Sequence, residues 1–193
     1  MPTVQEQIDD TIRREGPYND HKEDRGGATN LGISLRYLKG VGLLRGDLDH
    51  DGDIDKDDIR LVSPPVAAQL YLEDFFLGPR INRLPEPLHP VMFDMAVNHG
   101  PPRAIILLQK TLRGLPGRFV FASGKTPFII ADGVVGPQTR VAAELAIKNH
   151  GFRTVQNALV DTRIEFYNAI VREDPTQYKF INGWLNRAEE FRF

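Results

Sequence analysis

Two carboxylates and a hydroxyl near the start of the chain have the types and spacing for acid and base chemistry. They are Glu15, Asp24 nine positions later, and Thr29 after the pair Gly26-Gly27. Breaking a glycosidic bond takes one protonated carboxyl that donates to the leaving oxygen. It also takes one ionised carboxylate that handles water or stabilises a cation-like transition state. Glu15 and Asp24 can supply that pair. Asp20 is a rival for the second acid, with Glu23 behind it, and Tyr18 and Asn30 are candidates to touch substrate or to brace the loop. The stretch passes through clustered Gly, Asn and Asp to Leu31-Gly32-Ile33. It therefore reads as a loop held between ordered flanks, where catalytic groups concentrate.

The flanking elements must present these groups. Thr3 followed by Glu6 is a capping-box pattern, and Val4, Ile8 and Ile12 recur at helical spacing. Together they predict a helix over 4–14 whose last turn delivers Glu15. Gly26-Gly27 and Gly32 permit a tight ribbon that folds back on Glu15. Ser34 is placed to cap a short helix through Leu35 and Leu38, and Ser63 to cap another that begins at Pro64-Pro65. The second of these carries Val66, Leu70, Tyr71, Phe75 and Phe76 on an apolar, aromatic side. Further helices are expected over 91–99, closed by Gly100, and over 103–112, 154–172 and 177–191. A second candidate hairpin is expected from 119–121 and 128–130.

Glu15-Gly16-Pro17-Tyr18-Asn19-Asp20, followed by Asp24-Arg25-Gly26-Gly27-Ala28-Thr29-Asn30-Leu31-Gly32-Ile33, resembles the signature of the glycoside hydrolase family 108 muramidases. These are lysozyme-like endolysins of phages and prophages. The order Glu, eight residues, Asp, then Thr is also similar to the triad of phage-type lysozymes, with a gap between Asp and Thr one residue shorter here. Residues 93–100 resemble the second signature of the family, 180–187 its closing segment, and Asp132-Gly133 with Gly136-Pro137 the turn and helix start of peptidoglycan-binding folds. The resemblance implies a mainly α, lysozyme-like fold with a short β ribbon after Glu15. It implies one compact domain over 1–193 with two lobes, a catalytic one over 1–90 and a helical one over 91–193 resembling a peptidoglycan-binding region. The implied activity is peptidoglycan hydrolysis between N-acetylmuramic acid and N-acetylglucosamine. Glu15 would be the general acid in a partly apolar cleft, and Asp24 with Thr29 would position water for inversion. Asp94 and Asn98, four apart on one helical face, are candidates either to line the substrate groove or to form a buried hydrogen-bonded pair. A lytic transglycosylase working through one Glu, and a non-catalytic calcium-dependent wall-binding module, are the rival readings.

Residues 47–58 carry a second motif, DLDHDGDIDKDD. With Asp47 at position one, Asp49, Asp51, Gly52, Asp53, Asp55 and Asp58 fall on the ligand and turn positions of an EF-hand calcium loop. Asp53 offers its carbonyl, and Asp58 stands where Glu is common. One such loop lacks the partner that a calcium sensor needs, so the expected Ca²⁺ is structural, held by an insertion beside the catalytic loop.

Composition narrows the rest. Hydrophobic content of 41% and charged content of 26% belong to a globular chain. A net charge of −2 argues against an electrostatic grip on nucleic acid. The absence of cysteine removes disulfide and thiolate chemistry. No stretch has the apolar length of a membrane span. The opening Met-Pro-Thr-Val-Gln-Glu-Gln lacks the regions of a secretory signal. The expectation is a monomer that stays in the cytoplasm of the host cell until a holin releases it to the wall.

Overall fold

The computed structural model describes residues 3–20, 27–116 and 129–193. As expected, the protein is mainly α, and one two-stranded ribbon is present among the described residues. The chain divides into two compact units, Met1–Asp74 and Phe75–Phe193.

In the first unit, α1 spans Val4–Glu15. Thr3 Oγ1 accepts the N–H of Glu6 at 3.2 Å, and the Glu6 carboxylate takes the N–H of Thr3 at 2.6 Å, so the predicted capping box is formed. Strand β1 (Thr29–Asn30) pairs antiparallel with β2 (Ile33–Ser34), Thr29 opposite Ser34 and Asn30 opposite Ile33. Leu31 and Gly32 between them are both left-handed, at φ 52° and 80°. That is the backbone of a tight hairpin turn matched to strand twist. Helix α2 (Leu35–Val41) starts on Ser34, whose hydroxyl accepts the Tyr37 N–H at 3.1 Å. A single turn, α3 (Leu43–Gly46), leads into the acidic loop, and α4 (Lys56–Leu61) leads out of it. Helix α5 (Pro64–Leu72) packs on α1 and runs on into a π-helical turn, Glu73–Leu77, within which the boundary between the units falls. Ser63 does not cap α5 through its side chain as expected. Pro64 and Pro65 have no N–H to offer, so the first turn needs fewer acceptors.

The second unit begins with two 3₁₀ turns, Ile81–Arg83 and Glu86–Leu88, which pack on α6 (His89–His99). That contact draws residues 75–90 into this unit, so the division comes earlier than the boundary expected at residue 90. Val91, Met92, Phe93, Met95 and Ala96 of α6 have no exposed surface. Helices α7 (Pro101–Gly114), α8 (Pro137–His150) and α10 (Ile181–Glu189) pack on the long α9 (Phe152–Glu173). The helix expected from residue 177 opens instead as a 3₁₀ stretch, Pro175–Phe180, where Asp174 takes the N–H of Thr176 at 3.0 Å. Trp184 stacks on Tyr167 at 5.4 Å and holds α10 to α9. Of the second candidate hairpin, 119–121 and 128 lie outside the described residues, and 129–130 form no strand.

Candidate active site

Glu15 is the last residue of α1 and is exposed, not enclosed in apolar surroundings. The residues after it are tied to the ribbon. Gly16 accepts the Leu31 N–H at 3.0 Å, and Asn19 and Thr29 exchange two backbone hydrogen bonds of 2.8 Å each. The ribbon turn lies directly on Glu15. A Cβ added to Gly32 would overlap the Tyr71 hydroxyl and stand 2.8 Å from Glu15 Cγ. Tyr71, from α5 and 3% exposed, donates its hydroxyl to the Leu31 carbonyl at 3.3 Å. The second acid, Asp24, lies outside the described residues, as do Glu23 and Gly26. Thr29 is half-buried, with its backbone engaged on both sides.

Helix α4 holds the same loop at three further points. Asp20 pairs with Lys56 Nζ at 2.8 Å, and that hydrogen bond raises the lysine pKa. Arg60 lies 5.1 Å over the ring of the half-buried Tyr18, whose hydroxyl is buried without a hydrogen-bond partner among the described residues. Asn30, 9% exposed, donates its amide to the carbonyls of Ile59 and Val62 at 3.0 Å each. The Ile59 carbonyl also takes the Val62 N–H at 3.3 Å, so Asn30 adds a second donor there and a first one at Val62, tying strand β1 to the end of α4.

Asp94 and Asn98 belong to the second unit. Asp94 is 4% exposed, with one oxygen 2.7 Å from the fully buried Arg163 and the other 2.8 Å from Arg187. Asn98 is exposed and donates its amide to the Asp94 backbone carbonyl at 2.7 Å. Arg163 Nε also donates to the Tyr167 hydroxyl, which lies 3.2 Å from His99 Nε2. Burial, reinforced by the nearby Arg163, pushes the His99 pKa down to about 4.

In the acidic loop, carboxylate oxygens of Asp47, Asp49 and Asp58 converge, and so do those of Asp53, Asp55 and Asp58, each set within 4.8 Å. The backbone turns back on the first acid. Asp47 accepts the N–H groups of Asp51 at 3.2 Å and Gly52 at 3.1 Å, and Gly52 takes φ 98°. Asp51 accepts the Asp53 N–H at 3.0 Å. Ile54, at position eight, turns its side chain inward against Gly46. Burial works against the charge of Asp58, which is 1% exposed, but the N–H groups of Asp55, Leu48 and Asp49 hold its pKa below the ordinary value. Desolvation and neighbouring Asp51 raise Asp49, and Asp51 raises Asp53. Oxygen donors of this hardness and number suit Ca²⁺. Asp55 and Asp58 also form the capping box of α4, so two of the six acids have work without an ion.

Residues 8–100 match the family model described as Glycosyl hydrolase 108, and residues 103–189 match one described as Predicted Peptidoglycan domain. A similar solved structure, titled "Structure of Brucella abortus SagA", aligns over 96% of this chain and 88% of that one, with TM-score 0.69 and 26% identity. No curated protein matches the chain. No helix of the described residues is long and apolar enough to cross a membrane. With a glycosidase region at the N-terminal side and a peptidoglycan domain after it, the chain is a glycoside hydrolase of the peptidoglycan-degrading kind.

Proposed function

We propose that the protein is an N-acetylmuramidase of the endolysin type, cleaving between N-acetylmuramic acid and N-acetylglucosamine in peptidoglycan. Glu15 is the general acid that protonates the bridging oxygen. Asp24, ionised, activates water with the help of Thr29, and the product is inverted. The observation that carries this reading is the seating of Glu15. It ends a capped helix, directly against a ribbon turn, within the region matched by the glycosidase model. Tyr18 and Asn30 brace the loop that carries the acids.

We also propose that the 47–58 loop binds one Ca²⁺ with a structural role, through Asp47, Asp49, Asp51, Asp55, Asp58 and the Asp53 carbonyl. The convergence of the acids and the inward Ile54 support it.

The decisive experiment is product analysis on purified peptidoglycan with wild type and Glu15→Gln. A free reducing end formed by wild type and lost in the variant is expected. An anhydro-muramic end would make the enzyme a lytic transglycosylase. Binding without any cleavage would leave a wall-binding module.

A further inference from the structure

We infer that Tyr71 is a positioning residue for Glu15, acting through the Leu31-Gly32 turn. The inference rests on the reading of Glu15 as the proton donor.

Leu31 is a non-glycine residue at φ 52°, a conformation that an L side chain does not favour. Residues of this kind persist where their surroundings over-determine them. Here both backbone polar groups of Leu31 are engaged. Its N–H goes to the carbonyl of Gly16, the residue after Glu15, and its carbonyl takes the Tyr71 hydroxyl. Gly32 then passes so close to Glu15 and Tyr71 that no side chain fits, with Glu15 Cβ 3.2 Å and Cγ 2.8 Å from the place where a Cβ would stand. The turn is therefore a backbone wall against the stem of the acid, and the buried tyrosine on α5 sets where the wall stands. The wall limits the rotamers open to an exposed glutamate at a helix end. A misplacement of about 1 Å at a reacting group is enough to cost about a hundredfold in rate.

The contacts also predict coupling. Gly32 and Tyr71 act on Glu15 through one shared space, so their substitutions should not be additive.

The test uses soluble peptidoglycan fragments, well below the melting temperature of every variant. Tyr71→Phe keeps the buried ring and removes only the hydroxyl. Its kcat should fall about tenfold with KM within twofold of wild type and with unchanged near-ultraviolet circular dichroism. Gly32→Ala should lose more. In the double variant the missing hydroxyl makes room for the new methyl, so the combined loss should be smaller than the product of the single losses. A kcat for Tyr71→Phe within twofold of wild type overturns the inference, and so does a loss that appears in KM instead of kcat. If Gly32→Ala fails to fold, Tyr71→Phe alone decides the matter. Activity retained by Glu15→Gln would remove the reading beneath the inference. An inactive Glu15→Gln beside a fully active Tyr71→Phe removes the inference alone.

Discussion

Glutamine in place of Glu15 keeps the size and loses the transferable proton, so wall lysis followed by turbidity should fall about a hundredfold or more. The melting curve should stay in place, because the side chain is exposed. Asp24→Asn should cripple turnover as well. Asp20 is already paired with Lys56, so Asp20→Asn should cost activity only modestly; if it abolishes lysis while Asp24→Asn does not, the acids exchange roles. The roles of Glu15 and Asp24 rest on residue type and spacing and are what these variants test; the two-residue turn at Gly32 was legible because its residues are adjacent in the chain. Tyr71 was not. In sequence it is one aromatic among several on an apolar helix face, and its contact with Leu31 joins residues forty positions apart.

Among the elements, α4 has an influence beyond its six residues. It leaves the acidic loop at one end and grips residues 18, 20 and 30 along its length. Asn30→Ala would take the side-chain donor from the Val62 carbonyl, at about 1–3 kcal/mol for an acceptor left without a partner, and would leave the Ile59 carbonyl with the Val62 N–H alone. Differential scanning calorimetry should show a melting temperature lower by several degrees. Removing Ca²⁺ with a chelator should also lower the melting temperature, since an ion bound only by the folded form stabilises it. Identical melts of metal-free and calcium-loaded protein would exclude a structural ion. The spacing of the acids over 47–58 was readable because the motif is contiguous, while the ion they would hold is what these melts test. The use of Asn30 as the stop for α4 was not, since the helix and its cap lie about thirty residues apart.

For the molecule as a whole, the buried charges of the second unit set how stability responds to substitution and pH. Asp94 is the counter-charge of a guanidinium with no exposed surface, and breaking such a pair from one side costs about 3–5 kcal/mol. Asp94→Ala should therefore melt much earlier than Asn98→Ala, whose side chain is exposed. The sequence paired these two by helical spacing; the partners that the fold provides, Arg163 and Arg187, come from α9 and α10. His99 adds a pH term. Unfolded, it takes a proton near pH 6.5, whereas in the fold burial and then Arg163 delay protonation to about 4. In that window the unfolded state holds the extra proton, so stability is highest above pH 6.5 and declines as pH falls toward 4, by on the order of 2–3 kcal/mol. His99→Gln should flatten this slope in melts taken across the range.

The Asn30 contact has a practical corollary for anyone wishing to trim this enzyme. The acidic segment looks like a detachable module, and a shorter version without it would be a natural first design. Cutting out residues 47–62 would leave two amide hydrogens of Asn30 facing the interior with nothing to accept them and would free Asp20 from its lysine. A workable miniature must therefore keep 56–62 or install an apolar residue at position 30, and the second route sacrifices the grip on the loop beside Thr29.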